Sequence, residues 1–258
     1  MKNLLLSVAA CAGFLASCSV APTAPFVAQN NGRLEVNGKP YYYVGTNFWY
    51  GAVLGSTGQG GNRERLLKEL DFMKANGVGN LRVLVGADGE PGQLTKVMPT
   101  LQVAPGVYND TIFDGLDFLL SEMGKRGMYA VLYINNTWDW SGGYVQYLRW
   151  TNYDETLPKG EIDWDTYLSK VSKYATCDSC HALFFNHVRH VVERTNRYTG
   201  KKYADDPAIM SWQVGNEPRA LSKEGKPAFA KWLKEAIALI RTLDGNHLIS
   251  IGSEGQLG

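Results

Sequence analysis

The stretch Ser211-Trp212-Gln213-Val214-Gly215-Asn216-Glu217-Pro218-Arg219 places a carboxylate directly after an apolar run, beside an asparagine and ahead of a proline. A short apolar run of this kind reads as a buried strand, and the proline interrupts regular structure at once. A carboxyl at such an exit can be reached by a small molecule and can give or take a proton there. A lone Glu after a strand is more often an ordinary surface residue, so the surroundings must decide. Other polar residues stand at similar exits: Asn47, Asp88, Asn135-Asn136 and Glu254. His187, His190 and Glu193 recur at a spacing of three, which could suggest a metal. The His-Glu-x-x-His pattern is absent, so they read as a solvated helix face and no metal site is expected. His247 shows no evident role.

The four cysteines divide into two pairs of different meaning. Residues 1–17 form a leader, with Lys2 as its basic start and a short apolar stretch from Leu4 to Leu15 that is too brief to span a membrane. Cys11 lies inside it. Leu15-Ala16-Ser17-Cys18 resembles the lipobox of bacterial lipoproteins, which implies cleavage before Cys18 and a lipid on its thiol. The alternative is a plain secretory signal, which would leave the protein secreted; on either reading it is exported, and with the lipid the outer membrane or cell surface is the expected site. Residues 18–31, polar with Pro22 and Pro25, read as a tether. Cys177 and Cys180 remain, a C-x-x-C in an oxidising compartment. With His181 the segment also matches a haem-attachment pattern, but a local disulfide or two free thiols fits better. A structural zinc would need two further ligands. No cofactor is expected.

The elements that would position these residues alternate. Residues 33–41 form a hairpin about Asn37-Gly38, and residues 42–46 a first parallel strand. Asn62 caps a helix carrying Leu66, Leu67, Leu70 and Met73 on one face, closed by Asn76-Gly77. Strands follow at 81–85, 128–134, 209–214 and 247–251, with helices at 111–125, 181–197 and 227–243. Residues 135–173 read as one long loop. Strands alternating with amphipathic helices imply parallel β/α units, and their apolar runs suggest burial on both faces. No G-x-G-x-x-G follows the first strand, so a doubly wound dinucleotide fold is disfavoured. The α/β class expected is a (β/α)8 barrel occupying residues 32–258. Only five of its eight strands can be placed, and three more units need on the order of 100 residues. Truncation after the fifth strand is the simplest account.

Four motifs in order resemble glycoside hydrolase family 5, and its mannanase subfamily in particular. They are Asn216-Glu217-Pro218-Arg219, Gly45-Thr46-Asn47-Phe48-Trp49-Tyr50-Gly51, the run Asn135-Asn136-Thr137-Trp138-Asp139-Trp140 with its continuation, and Arg194-Thr195-Asn196 with Thr199-Gly200 and Tyr203 to Pro207. The resemblance implies a retaining mechanism with two carboxyls about 5 Å apart. It assigns Glu217 as general acid/base, Asn216 to the sugar 2-position and Arg82 to the nucleophilic carboxylate. Arg219 and Trp138 would line the leaving-group side, Glu254 would contact substrate, and Trp49 could border the cleft. The nucleophile belongs after a seventh strand and has no counterpart here. Glu254 in its place would leave Arg82 without its partner.

The composition is compatible with this. With a net charge of +1 over 258 residues there is no basic excess to bind nucleic acid. Seven Trp and 14 Tyr can supply platforms for sugar rings beyond what a core needs. The expected substrate is β-1,4-mannan or its oligosaccharides. An exo-acting β-mannosidase or β-glucanase, a mannan-binding lipoprotein without turnover, and a fragment that does not fold remain alternatives.

Overall fold

The structure is a computed structural model describing residues 25–90, 96–157 and 162–255. The leader, Cys18 and the first part of the expected tether lie outside the described residues.

Three short strands open the fold: β1 (Val27–Asn30), β2 (Arg33–Val36) and β3 (Lys39–Pro40), paired antiparallel. Their turns are Asn31-Gly32 and Asn37-Gly38, with both residues of each pair at positive φ, the requirement of the tight hairpin turn. Residues 27–30, expected to be tether, are therefore ordered strand. The reason is Val27, only 1% exposed, which joins Tyr129 and Met210 in a small apolar cluster backed by Leu34, Val36 and Tyr41. Tyr129 and Met210 belong to the first turns of their strands, so the flap covers the N-terminal end of the main sheet.

The main sheet is wholly parallel. Its strands are β4 (Val44–Asn47), β5 (Val78–Leu84), β8 (Tyr129–Tyr133), β9 (Ile209–Gln213) and β10 (Leu248–Ser250), adjacent in that order. Between β5 and β8 lies a two-stranded ribbon, β6 (Gln102–Ala104) with β7 (Val107–Tyr108). Spatial order follows chain order with no reversal, as in a barrel; a doubly wound sheet would reverse at a switch point.

Helices α1 (Gly51–Gly55), α2 (Arg63–Ala75), α3 (Asp110–Lys125), α4 (Gly143–Trp150), α5 (Trp164–Val171), α6 (Asp178–Val192) and α7 (Lys226–Leu243) complete the fold. Local chemistry starts several of them. Asn62 accepts from the Arg65 N–H, Asn109 from Thr111 and Asp163 from Thr166, each satisfying a donor the first turn leaves free. The stretch expected as one long loop holds α4, α5 and two 3-10 turns. Tyr144, Tyr147, Tyr167 and Tyr174 make it part of the core, each under 5% exposed.

Strand side chains alternate between the two faces of the sheet. Leu81, Val83, Leu132 and Trp212 join the main core. On the opposite face Gly45, Asn47, Asn80, Arg82, Val131 and Gln213 line an open groove of about 350 Å³. Burial on both faces was the expectation; the inner face is instead polar and half open.

Two buried polar networks bind the layers. Arg194 grips Asp117 through Nε and Nη2 at 2.9 and 2.7 Å, and the Tyr203 hydroxyl donates to the same carboxylate. This fastens the lead-in to β9 against α3. In the second, Trp212 Nε1 and His247 Nδ1 both meet Asp244 Oδ2, at 2.6 and 2.5 Å, while His247 Nε2 faces the Asp206 carbonyl. His247, without a role in the sequence, thus joins β9 to the turn before β10.

Burial alone would raise the Asp244 carboxyl, but hydrogen bonds from His247 and Trp212 bring it down to about 2. The unfolded value is about 3.9. The stability Asp244 supplies is therefore complete above pH ~4 and drains as pH falls toward ~2. Asp244→Ala should cost roughly 3 kcal/mol or more, since two buried donors lose their acceptor. Urea denaturation should show the lower midpoint, and the variant should lack that part of the acid limb.

Candidate active site

The chain leaves β9 still clamped between its neighbours. Val214, Gly215 and Glu217 donate their N–H groups to Ser250, Ile251 and Gly252 on the β10 side. Asn216 donates its N–H to the Asn135 carbonyl, and its own carbonyl accepts from the Thr137 N–H, both on the β8 side. The approach at Gly252 demands glycine: its φ is 90°, and a β-carbon there would collide with the Gly215 carbonyl.

Glu217 itself sits at φ 53°, a left-handed conformation that residues with a β-carbon seldom adopt. Its own carbonyl accepts from Thr137 Oγ1 at 2.6 Å. Its Oε2 accepts from Trp138 Nε1 at 2.6 Å, which fixes the carboxylate's rotamer. The side chain is half-buried rather than sealed in the core.

Asn216 and Arg82 belong to one network with this carboxylate. Arg82 Nη2 donates to Asn216 Oδ1 at 3.0 Å and Nε to Gln213 Oε1 at 2.6 Å. Its guanidinium lies 4.0 Å above the Tyr133 ring. Burial lowers the Arg82 pKa, while the nearby Tyr133 and Glu217 side chains act against that shift. Asn216 Nδ2 donates in turn to Asn136 Oδ1, and Gln213 Nε2 to Ser250 Oγ. The network therefore runs through side chains of β5, β9 and β10 and the exit of β8.

Around it stands an aromatic rim. Arg219 is ion-paired with Glu254, and its guanidinium lies 5.3 Å from the Trp138 ring centre. Trp138 stacks on Trp164 with ring centres 5.4 Å apart. The structure brings together Glu217, Asn216, Arg82, Trp138, Arg219 and Glu254. Trp49 meets Tyr50 and Trp140 instead, on the loop after β4.

Gln213 and Trp164 were not singled out by sequence. Gln213 carried a signal, as a polar residue ending an apolar strand at an inward position. Trp164 carried none, since its relation to Trp138 exists only once α5 folds back.

Other candidates are placed elsewhere. His187 is not solvated but fully buried: its Nε2–H donates to the Val85 carbonyl at 2.8 Å, and burial pushes its pKa down to about 4. The reason is that α6 turns this residue toward β5, while His190 lies outward, flat on Tyr108. Cys177 and Cys180 form a disulfide at the start of α6, so neither thiol is free for haem. His181 is held at the Tyr174 carbonyl.

The profile of the GH family 5 beta-mannosidase-like family matches residues 24–258. The chain belongs to that family.

Relatives of this family 5 chain include mannan endo-1,4-beta-mannosidase 5 of Solanum lycopersicum, 32% identical over 234 residues. That match covers 90% of this chain and 52% of the relative. Mannan endo-1,4-beta-mannosidase 1 of Arabidopsis thaliana is 30% identical, covering 93% and 53%. The crystal structure of the glycoside hydrolase family 5 mannosidase from Rhizomucor miehei superposes with a TM-score of 0.81 at 33% identity. It covers 90% of this chain and 57% of that one. The chain thus spans about half the length of the relatives it matches, and its five parallel strands are part of their barrel architecture.

Asp88, another polar residue near a strand exit, does not face the cleft. It is 0% exposed, and its Oδ2 has no hydrogen-bond partner among the described residues. Gln102, with its amide turned to suit its neighbours, donates to Oδ1 at 3.1 Å. Burial holds this carboxyl well above the ordinary carboxylate range. Above pH ~4 the unfolded chain releases the proton that the folded chain keeps, so Asp88 drains stability as pH rises. Asp88→Asn should be neutral at pH 4 and more stable by about 1 kcal/mol or more at pH 7. Thermal melts at the two pH values test this; a variant destabilised equally at both would refute it.

Proposed function

We propose that the protein is a retaining glycoside hydrolase acting on β-1,4-mannan. Glu217 protonates the departing glycosidic oxygen and later draws a proton from water. The observation that carries this reading is the Trp138–Glu217 bond at 2.6 Å, at a strand exit that also presents Asn216 tied to Arg82. With Oε2 fixed by Trp138, the other oxygen is presented to whatever occupies the cleft. Asn216 would hold the sugar's 2-position, where bonding strengthens as the transition state forms.

Double displacement also requires an attacking carboxylate about 5 Å from the acid. Glu254 is engaged by Arg219, and Arg82 rests on two amide oxygens. We assign the nucleophile to polypeptide beyond residue 258, after a seventh strand, where it would lie against Arg82. The names of the plant relatives, and a variant of the Rhizomucor mannosidase in complex with mannosyl-fructose, support the mannose preference.

The test is the polypeptide extended to the length of these relatives. It should release sugars from β-1,4-mannan, and Glu217→Gln should lower that rate on the order of 10³-fold. Cleavage of cellulose but not mannan would remove the substrate assignment and leave the family. A 258-residue chain that is retained on mannan without turnover, while the extended one is equally inert, would favour a surface binding protein.

Export by the leader and a lipid at Cys18 complete the proposal. Cys18→Ser should move the protein from the membrane fraction to the soluble one after cell fractionation. An unchanged distribution would leave only a secretory signal.

A further inference from the structure

Trp164 is the first residue of α5, and its position is over-determined. Asp163 caps the helix by accepting from the Thr166 N–H at 3.0 Å. One turn on, Tyr167 is 4% exposed, and its hydroxyl donates to the Thr137 carbonyl. Thr137 is the residue whose own hydroxyl holds the Glu217 carbonyl. The helix is therefore fastened to the strand exit that carries the acid.

The Trp164 ring lies nearly parallel to Tyr167, at 11°, and close to parallel to Trp138, at 26°. Despite these contacts it stays 58% exposed. Trp138 is the less available of the two. Its N–H edge is taken by Glu217, Arg219 stands over its ring, and Trp164 and Tyr167 lie beside it. Among the described residues, the broad apolar surface still open beside Trp138 is thus the Trp164 indole. A rigid, exposed indole stacked on Trp138, whose N–H holds the Glu217 carboxylate, suits the apolar face of a pyranose, whose edge hydroxyls stay in water.

We propose that Trp164 is a sugar-binding platform one ring beyond Trp138 on the leaving-group side. It takes a distal hexose of a β-linked oligosaccharide, so the ligand is a chain of several sugars rather than a disaccharide. This rests on the reading of Glu217 and its cleft given above, and it names the substrate class of that same site.

The experiment titrates the polypeptide extended to the length of its relatives with mannotriose, mannohexaose and cellohexaose, followed by tryptophan fluorescence and calorimetry. Glu217→Gln is the common background, so that no sugar is cleaved. The hexaose should bind more tightly than the triose. Trp164→Ala should weaken the hexaose about tenfold, equivalent to about 1.4 kcal/mol, and leave the triose unchanged. Trp164→Tyr should restore most of the affinity, which separates loss of a platform from loss of α5.

Equal hexaose affinity with and without Trp164→Ala in that background would overturn the platform alone. So would an equal loss for triose and hexaose, or no recovery with tyrosine. A length-dependent effect seen with cellohexaose but not mannohexaose would support the platform and overturn the mannan assignment. No binding of any of the three sugars would overturn both.

Discussion

A glutamate at φ 53° stands in a region that costs an L-residue about 1–2 kcal/mol, and here it persists because the strand exits on both sides grip it. Gly252 accepts its N–H from the β10 side, and Thr137 donates to its carbonyl from the β8 side. Neither grip exists without the parallel register that puts β9 between those two strands. The left-handed turn lifts the carboxylate out of the strand direction and brings Oε2 to the Trp138 N–H. Strain of this kind survives where the surroundings over-determine it, and it clusters at functional sites. The aromatic rim, the Asn216 bridge and the placement of Arg82 all depend on that one clamp.

The two faces of the sheet divide the work of stability and chemistry. Leu81, Val83, Leu132 and Trp212 bury into the main core and hold the strands. The opposite face spends its positions on Asn80, Arg82 and Gln213. Arg82 is the costly member, because a half-buried cation must be compensated. Two amide oxygens and the Tyr133 ring face satisfy it, and among the described residues these acceptors are neutral. A cation supported by neutral acceptors keeps its charge available for an anion, which is what the proposed nucleophile would need.

The clamp also explains which parts of the molecule could be read in advance. Strands β5, β8 and β9 announced themselves as apolar runs, and Asn62 and Asn37-Gly38 marked a cap and a turn by local chemistry alone. Asn31-Gly32 carried the same turn signal, but the polar residues around it hid β1, whose single buried anchor is Val27. The helices α4 and α5 were illegible because each has only eight residues and much of its inward face is tyrosine, Tyr144, Tyr147 and Tyr167 beside Val145, Leu148 and Val171, which a pattern based on aliphatic periodicity under-reads. His187 and His247 were misjudged for a related reason. A histidine's environment is set by which carbonyl or carboxylate the fold brings to it, here Val85, Asp206 and Asp244. Glu217, Asn216 and Arg82 were named from the resemblance, yet the bonds that join them, from Arg82 to Asn216 and from Asn216 through Asn136 to the Trp138 that holds Glu217, are a property of register.

Register also governs how far the rim can extend from the acid. Thr137 sits between two partners, donating its hydroxyl to Glu217 and accepting from Tyr167 through its carbonyl. Movement of α5 would therefore be felt at the Glu217 backbone, and any tightening around Glu217 would be felt at α5. Trp138 adds a second connection in parallel, with its N–H on the carboxylate and its ring against Trp164. Two independent links make the distal aromatic surface and the acid one mechanical unit. Under the proposed function, sugar bound at a distance from the reacting bond would contribute to orientation at that bond, the way remote binding energy is put to use in catalysis.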